Sequence, residues 1–289
     1  MTVVVIGSAN MDAVVRVDHL PAAGETVMGT ELRWVPGGKG ANQAVAAARQ
    51  GATTSFVGCV GDDEAGRSLV AALIADGVDV RALGSTPASP TGVALIAVDP
   101  TGANTIVVAS SANLALTTDA VQAAQPIIDA ASVVMAQLEV PLSAVVRAFE
   151  LAKAVGATTV LNPSPVRELD GPVLDLVDVL VANEHEARVL GSDLPCPAVV
   201  ITLGERGGVV MRGGVTTTFS TFPVAAVDTT AAGDAFCGAL AARIDAGQPV
   251  DSAVQWAAAA GALAVTVPGA IPSLPTSAAV AALLEEART

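Results

Sequence analysis

The clearest indication of the fold lies in Val177-Asp-Val-Leu-Val-Ala-Asn-Glu-His-Glu-Ala-Arg-Val-Leu190, which is followed closely by Val199-Val-Ile-Thr-Leu203. Residues 177–182 form a short apolar run that predicts a buried strand, and residues 184–190 predict a helix that Asn183 can cap. The second apolar run predicts another strand. A strand, a helix and a strand in so short a space indicate a parallel sheet with helices on both faces.

The same alternation extends outward along most of the chain. Apolar runs predict further strands at residues 2–6, 53–59, 132–136 and 158–161. Helices are predicted over residues 41–50, 62–76, 141–155, 232–246, 250–265 and 276–287. A length of 289 residues is suited to one large domain. We therefore expect a single α/β domain over residues 1–289.

Two segments depart from this alternation. Residues 13–34 and 92–108 alternate apolar and polar side chains around turn signals such as Pro21, Gly24 and Asp99-Pro-Thr-Gly102. This pattern predicts half-exposed antiparallel hairpins, which we expect to form a small inserted sheet. Ligands of open α/β sheets bind at the carboxyl ends of the strands. A small sheet built from about residues 12–35 and 92–108 would form a lid there.

Composition disfavours several classes of function. The chain has 14 Lys and Arg against 28 Asp and Glu, and this net charge of −14 argues against nucleic acid or an anionic membrane as partner. No apolar run reaches the ~20 residues of a membrane span, and the first residues lack the basic region of a secretory signal. Three cysteines without a CxxC spacing favour a reduced, cytoplasmic protein. Aromatic residues make up only 2%, so surfaces for base stacking are scarce.

The segment Asp228-Thr-Thr-Ala-Ala-Gly-Asp234 runs directly into a predicted helix. Small residues at a helix start let backbone N–H groups converge, and with the helix dipole they form an anion site that needs no basic side chain. Asp234 alone is explained by stabilisation of the dipole, but that role needs no run of small residues. A carboxylate beside an anion site suits a kinase, because it takes a proton from the attacking hydroxyl while the site stabilises the phosphoryl group.

Other polar residues follow predicted strands at the ligand-binding edge. Asn10 and Asp12 follow the first strand, where an amide and a carboxylate can bind vicinal hydroxyls, although an Asx turn explains them equally well. Pro36-Gly-Gly-Lys-Gly-Ala-Asn42 is a glycine-rich loop before a helix, or simply a turn. Glu139 ends an apolar run. Asn183-Glu-His-Glu186 also follows a strand, and a helix cap accounts for it.

Signatures of other enzymes are missing from the sequence. There is no GxxxxGK[ST], no GxGxxG after the first strand and no GxSxG, and His19 and His185 are the only histidines. A dinucleotide-binding oxidoreductase is therefore disfavoured. A non-catalytic regulator that binds a sugar or a nucleotide stays open, although it has no need for Asp234 beside an anion site.

The two glycine-rich motifs together resemble the ribokinase-like (PfkB) family of carbohydrate kinases. The resemblance rests on Gly37-Gly-Lys-Gly-Ala-Asn42-Gln-Ala and on Asp228-Thr-Thr-Ala-Ala-Gly-Asp234-Ala-Phe-Cys-Gly238, and it covers nearly the whole chain. It implies a three-layer α/β/α fold with a mostly parallel central sheet and a small inserted β-sheet lid. Gly7-Ser-Ala-Asn-Met-Asp12 and Asn162-Pro-Ser-Pro165 are similar to members that phosphorylate the 5-hydroxyl of D-ribose with ATP.

The resemblance also implies a role for each matching residue. Asp234 would be the general base, beside an anion hole formed by the backbone of Ala231, Ala232 and Gly233. The sugar would be held by Asn10, Asp12, Gly38, Lys39, Asn42, Glu139 and Asp234. ATP would be held by Asn183, Thr202, Gly204, Gly207 and Gly233, with Glu186 organising Mg²⁺ and its waters. An activating K⁺ would be bound, mostly through backbone carbonyls, by Asp228, Thr230, Ala264, Val267, Gly269 and Ser273.

The chain departs from the family pattern at two places. Only a short connection separates Leu190 from Val199, where the family usually has a further helix, and Ala258 stands where some members carry a histidine near the adenine. Neither change touches the residues implied in phosphoryl transfer. Deoxyribose, fructose-type sugars and nucleosides remain alternative substrates. Family members commonly dimerise through their lids, and the apolar alternation in residues 13–17 and 93–98 allows a homodimer.

Overall fold

The computed structural model describes residues 2–192 and 194–288, and over these residues the chain forms two sheets and ten α-helices. The strands are β1 (Val3–Ile6), β2 (Asn10–Val17), β3 (Gly29–Gly37), β4 (Thr54–Gly61), β5 (Asp79–Thr86), β6 (Gly92–Val98), β7 (Asn104–Ala109), β8 (Val133–Ala136), β9 (Thr158–Leu161), β10 (Val179–Asn183), β11 (Ala198–Thr202), β12 (Gly208–Arg212) and β13 (Val215–Phe219). The helices are α1 (Lys39–Arg49), α2 (Glu64–Ala75), α3 (Thr118–Ala123), α4 (Gln125–Ile128), α5 (Leu142–Ala154), α6 (Gly171–Leu174), α7 (Glu184–Leu190), α8 (Ala232–Asp245), α9 (Val250–Ala264) and α10 (Ser277–Glu286).

The main sheet has the strand order β13-β12-β11-β10-β9-β8-β1-β4-β5 and is parallel except at β12 and β13. Its central strands are apolar on both faces. In β1, Val3 and Val5 belong to the core that α1, α8 and α9 cover, whereas Val4 and Ile6 belong to the core beneath α5. Because successive side chains of a strand point to opposite faces, one short apolar run supplies both cores. The predicted three-layer α/β/α fold is confirmed.

The predicted strands and helices are all present, with ends that differ by a few residues. The sequence analysis missed β5, the short helices α3, α4 and α6, and the hairpin of β12 and β13. β5 carries Asp79 and Arg81 at the sheet edge, and β13 is rich in exposed threonine, so neither has the continuous apolar run of a central strand.

The second sheet has the order β3-β2-β6-β7 and joins two antiparallel hairpin pairs through a parallel contact between β2 and β6. We call it the lid. β2 follows β1 after only three residues, and β3 runs into α1 through Gly38. Residues at the start of β2 and of α1 therefore lie where the lid meets the carboxyl edge of the main sheet, which is the arrangement that the sequence predicted.

The connection between α7 and β11 contains no helix among the residues that the structure describes, which here are 191–192 and 194–197; Asp193 lies outside the described residues. This agrees with the shortened segment seen in the sequence. No helix in the described ranges combines the length and the apolar character needed to cross a membrane.

Helices α1 and α8 approach each other closely at Gly238. A Cβ atom added at Gly238 would lie 2.4 Å from the Cβ of Ala46 and 2.6 Å from the carbonyl oxygen of Gln43. Both distances are shorter than real contacts of a Cβ atom. The absence of a side chain therefore sets the distance between the two helices that carry the glycine-rich motifs.

Gly238→Ala is expected to lower the free energy of unfolding by about 1–3 kcal/mol, because the added methyl overpacks this contact. Gly171→Ala is the matched control, since a Cβ there meets no atom within 4 Å. Urea unfolding of both variants measures the difference. Equal stability of the two variants would contradict the close contact.

Candidate active site

Two clefts open at the carboxyl edge of the main sheet. The first, of about 690 Å³, lies beneath the lid, and we call it the lid cleft. The second, of about 1110 Å³, is walled by three phenylalanines, and we call it the phenylalanine cleft. They share the wall residues Asn183, Thr202, Thr229, Gly233 and Phe236. A group bound in one cleft can therefore reach a group bound in the other.

The structure divides the predicted residues between the two clefts. The lid cleft is lined by all those predicted to hold the sugar, namely Asn10, Asp12, Gly38, Lys39, Asn42, Glu139 and Asp234. The phenylalanine cleft is lined by five of those predicted to hold ATP, namely Asn183, Thr202, Gly204, Gly207 and Gly233. Glu186 lines the lid cleft instead.

The N-terminus of α8 lies between the two clefts. Ala231 lines the lid cleft, Ala232 lines the phenylalanine cleft, and Gly233 lines both. Ala231 has a φ of 59°, in the left-handed region that a residue with a side chain seldom adopts. In the described part of the chain, the N–H groups of Gly233 and Asp234 have no hydrogen-bond acceptor. Free N–H groups and the positive end of the dipole form a site for an anion.

Asp234 is buried in the first turn of α8. Its Oδ2 accepts a hydrogen bond from Nδ2 of Asn42 at 2.9 Å, and its Oδ1 accepts one from Nε2 of Gln43 at 2.9 Å. Both donors come from α1. The carboxylate is therefore held in one orientation at the bottom of the lid cleft.

Burial and the neighbouring charges have opposite effects on the pKa values of Asp234 and Lys39. Burial raises the pKa of Asp234, while Lys39 and the two amide donors oppose that rise. Burial alone lowers the pKa of Lys39, but Asp234, Glu139 and Glu186 together raise it above its usual value. Lys39 thus stays protonated among carboxylates and supplies the positive charge at the bottom of the lid cleft.

Glu139 is fixed by donors from two segments. Its Oε2 accepts hydrogen bonds from the hydroxyl of Ser8, from the backbone N–H of Lys39 at 3.2 Å and from Nδ2 of Asn10 at 3.5 Å. Asn113 holds Asn10 in turn, since its Nδ2 donates to Oδ1 of Asn10 at 2.7 Å. Ser8 and Asn113 were missed by the sequence analysis, because each contacts residues that are distant along the chain.

Asp12 and Asn42 present free acceptors to the lid cleft. Oδ1 of Asp12 and Oδ1 of Asn42 are buried and have no hydrogen-bond partner within residues 2–192 and 194–288. A buried acceptor without a partner costs about 1–3 kcal/mol. Hydroxyl groups of a bound ligand would satisfy both, so a polyhydroxylated molecule fits this cleft.

Asn183 and Glu186 form a reciprocal capping box at the start of α7. The N–H of Asn183 donates to Oε2 of Glu186, and the N–H of Glu186 donates to Oδ1 of Asn183, both at 2.9 Å. Among the described residues, no group of three or more His, Cys, Asp or Glu side chains could hold a metal ion. Mg²⁺ prefers oxygen ligands, and it usually keeps several waters while it binds to phosphates and to one or two carboxylates. The single carboxylate of Glu186 is suited to an Mg²⁺ ion bound in this way.

The phenylalanine cleft concentrates the few aromatic residues of the chain. Phe219, Phe222 and Phe236 line it, and the rings of Phe219 and Phe236 stack with centroids 5.8 Å apart. Ala258 also lines this cleft. Composition alone does not reveal this surface, because three of only five phenylalanines converge on it from β13, the loop after it and α8.

The residues predicted to bind K⁺ lie beside the two clefts on two connected loops. Oδ1 of Asp228 accepts a hydrogen bond from the N–H of Thr230 at 2.9 Å, and Oδ2 accepts one from the N–H of Gly269 at 2.8 Å. Burial acts to raise the pKa of Asp228, but these hydrogen bonds outweigh it and hold the pKa below its usual range. The remaining predicted ligands lie on the same stretch of chain: Ala264 ends α9, Val267 lies in the loop after it, and Ser273 lies in a short 3-10 turn beyond Gly269.

A cleft with free acceptors for hydroxyl groups and a cleft with an aromatic wall meet at an anion site, and this arrangement suits a phosphotransferase with a hydroxylated acceptor. Comparison with known families gives the particular class. A family model described as pfkB family carbohydrate kinase matches residues 1–277. The chain belongs to the pfkB family of carbohydrate kinases, and it is therefore a transferase.

Several known proteins to which this chain is similar are ribokinases. The chain is 37% identical over 303 residues to the ribokinase of Haemophilus influenzae, with 99% of each chain covered. Its structure is similar to that of ribokinase from Thermotoga maritima, with a TM-score of 0.90, 32% identity and 99% of each chain covered. It is also similar to Arabidopsis thaliana ribokinase complexed with ribose and ATP, with a TM-score of 0.86, 32% identity and 98% of each chain covered.

Asp12→Asn is expected to stabilise the protein without sugar in a pH-dependent way. Burial first, and then the charges of Glu139 and Asp234, raise the pKa of Asp12 from 3.8 to about 7. Between these two values the folded protein keeps a proton that the unfolded chain releases, so stability falls as pH rises through this window. Asparagine does not ionise, so the variant does not lose stability as pH rises through this window.

Thermal unfolding across pH measures this effect. The gain of Asp12→Asn over the parent should be largest above a pH of about 7 and should vanish below about 4. Asp18→Asn, which removes an exposed carboxylate just after the lid strand β2, is the control for the change in net charge. A gain for Asp12→Asn that is independent of pH would refute the raised pKa.

Proposed function

We propose that this kinase transfers the γ-phosphoryl group of ATP to the 5-hydroxyl of D-ribose, with Asp234 as the general base. The observation that carries the proposal is the position of Asp234, which is buried and fixed by amide donors at the helix N-terminus where the two clefts meet. The similar Arabidopsis ribokinase is complexed with ribose and ATP, which supports the same pair of substrates here.

The sugar is proposed to bind in the lid cleft. The free acceptors of Asp12 and Asn42 take hydrogen bonds from its hydroxyls, and Lys39 and Glu139 line the same space. Phe236 is the one aromatic residue among the described residues that line this cleft. A nucleoside acceptor would need a stacking surface for its base, so the cleft favours a small sugar.

The nucleotide is proposed to bind in the phenylalanine cleft, with its base against the aromatic wall and its phosphates toward the N-terminus of α8. The N–H groups of Gly233 and Asp234 then face the transferring phosphoryl group, where developing negative charge is stabilised most. As the 5-hydroxyl attacks, its proton moves to the carboxylate of Asp234. Lys39 balances the negative charge beside it.

Two metal ions belong to the proposal. Mg²⁺, with Glu186 organising its waters, would neutralise charge on the phosphates of ATP. K⁺ would bind at the loops that Asp228 connects, next to the first turn of α8. Such a cation strengthens the positive potential at the anion hole.

A homodimer formed through the lid is also proposed. Trp34 and Leu95 both pair with Ala13, and Val107 pairs with Leu95, so the three side chains lie in one row on the face of the lid away from the cleft. They are 59%, 55% and 60% exposed. A row of large exposed apolar side chains on a sheet marks an interaction surface, and a second lid supplies a matching apolar face.

The cytoplasm is the proposed location. The reaction consumes ATP, which is made there, and the buried thiols of Cys59, Cys196 and Cys237 suit a reducing compartment. The partners are the sugar and ATP rather than nucleic acid or membrane, since a net charge of −14 repels polyanionic surfaces.

Asp234→Asn is expected to lower kcat for ribose by about 10²–10⁴-fold while ribose binding survives, because the amide cannot accept the proton. Asp245→Asn is the matched control, since Asp245 is a buried carboxylate on the same helix that hydrogen-bonds Ser132 instead. ADP release and calorimetric binding of ribose are the measurements. Near-normal turnover of Asp234→Asn would exclude it as the base.

The acceptor is tested in the same assay with the parent protein. Ribose, deoxyribose, fructose and adenosine are compared, each with and without potassium. Ribose should give the highest kcat/KM, and potassium should increase it. A preference for adenosine or fructose would overturn the proposed substrate, and equal rates with and without potassium would overturn the cation site.

The double variant Trp34→Glu/Leu95→Glu is expected to be a monomer, because charge in the apolar row prevents burial between two lids. Val215→Glu is the control, since Val215 is 62% exposed on β13 of the main sheet. Sedimentation velocity at micromolar concentration distinguishes the forms. A parent protein that is already monomeric there would contradict the dimer.

A further inference from the structure

Behind Asp234 lies a chain of buried amides, and two of its members, Gln43 and Gln137, line neither cleft. Nε2 of Gln137 donates to Oε1 of Gln43 at 2.5 Å, and Nε2 of Gln43 donates to Oδ1 of Asp234 at 2.9 Å. Gln43 and Gln137 are both 0% exposed. Gly7 makes room for them, since a Cβ there would lie 2.2 Å from Oε1 of Gln137.

The backbone carbonyl of Val181 fixes the orientation of Asn162, and through it the orientation of Gln43. The carbonyl of Val181 can only accept, so Asn162 must turn Nδ2 toward it, at 3.0 Å. Oδ1 of Asn162 then faces Gln43 and accepts from its Nε2 at 3.2 Å. Gln43 must therefore present its NH₂ group to Asn162 and Asp234 and its oxygen to Gln137. A reversed Gln43 would place its oxygen against two acceptors.

Each oxygen of Asp234 thus has one fixed donor, Gln43 on Oδ1 and Asn42 on Oδ2. The two donors differ in position. Asn42 lines the lid cleft and has a free oxygen there, whereas Gln43 does not line either cleft. Of the residues predicted to take part in phosphoryl transfer, Gln43 hydrogen-bonds only to Asp234, and it does so without lining either cleft.

We propose that Gln43 is a positioning residue for phosphoryl transfer: its fixed NH₂ group holds Asp234 deprotonated and in a single orientation toward the acceptor hydroxyl. The inference rests on the proposed role of Asp234 as base. A hydrogen bond donated to a carboxylate favours its charged form, which opposes the effect of burial. Without it, Asp234 would accept a proton from solvent at a higher pH and would lose its function as a base.

Five other charged or titratable groups, each on a different element, act on Asp234 and its neighbours. They are Asp12 at the start of β2, Lys39 on α1, Glu139 after β8, Glu186 on α7 and Cys237 on α8. None of them hydrogen-bonds to Gln43 in the described chain. Replacement of Gln43 therefore removes one donor and leaves these charges in place.

The test is the pH dependence of kcat for Gln43→Met and Gln43→Glu. Methionine keeps the volume and removes the donor, so the acid limb of the profile should move up by about one pH unit, a loss of about tenfold at low pH. Glutamate is isosteric and places a second carboxylate against Asp234, so the limb should move further. KM for the sugar should change by less than about threefold in both variants, because Gln43 itself does not line the lid cleft.

Gln50→Met is the matched control. Gln50 is a buried amide at the C-terminal cap of the same helix, and its side chain hydrogen-bonds to Trp256 and Pro275 rather than to Asp234. It should lose stability but keep the parent pH profile. A parent-like profile in Gln43→Met, or equal shifts in Gln43→Met and Gln50→Met, would overturn the positioning role.

The assay uses whichever sugar the parent protein accepts, so a wrong substrate assignment appears in the parent alone and leaves the comparison intact. An infrared titration gives a second reading that needs no turnover. The carboxylic band that is absent from Asp234→Asn should titrate at higher pH in Gln43→Met than in the parent. An unchanged midpoint would refute the inference even if no sugar were a substrate.

Discussion

The approach of α1 to α8 is the constraint on which the rest of the site depends. Gly238 lets the two helices come together, and this places Asn42 and Gln43 of one helix against Asp234 of the other. The glycine-rich loop before α1 and the small-residue run before α8 then end at the same edge of the sheet. A carboxylate, its donors and an anion site are assembled by one contact between helices far apart in sequence.

The chain is acidic, yet it has to bind an anionic nucleotide. These properties are compatible because surface charge and the dipoles of the site act over different distances. A charge of −14 spread over the surface is screened within about one Debye length, roughly 8–10 Å in ordinary salt. In the proposed binding mode the nucleotide phosphates instead meet the free N–H groups and the dipole at the start of α8, with the buried charge of Lys39 on the side of the lid cleft. Local dipoles in a desolvated site outweigh a distant and screened surface charge.

The sequence allowed the fold to be predicted well, because continuous apolar strands and capped helices are local patterns. It also indicated that Asn10, Asp12, Glu139 and Asn183 meet at one edge, since residues that end parallel strands do so. The family resemblance, rather than the strand pattern, supplied other residues such as Thr202 and Gly204. The sequence did not reveal that Gln43, Gln137 and Asn162 hydrogen-bond with one another, because they lie on three separate elements. Likewise the aromatic wall depends on the β12 and β13 hairpin, whose exposed threonines resemble a loop.

The two clefts are built from different elements, and this affects how the protein can evolve. The described residues that line only the lid cleft include side chains from β2, β6 and β7, whereas the phenylalanine cleft is built without any residue of the lid. Substitutions in the lid can therefore alter which acceptor is bound while the phenylalanine cleft, proposed to bind the nucleotide, and the anion site stay unchanged. Such a scaffold can diversify its substrates through one small sheet and keep its energy donor throughout.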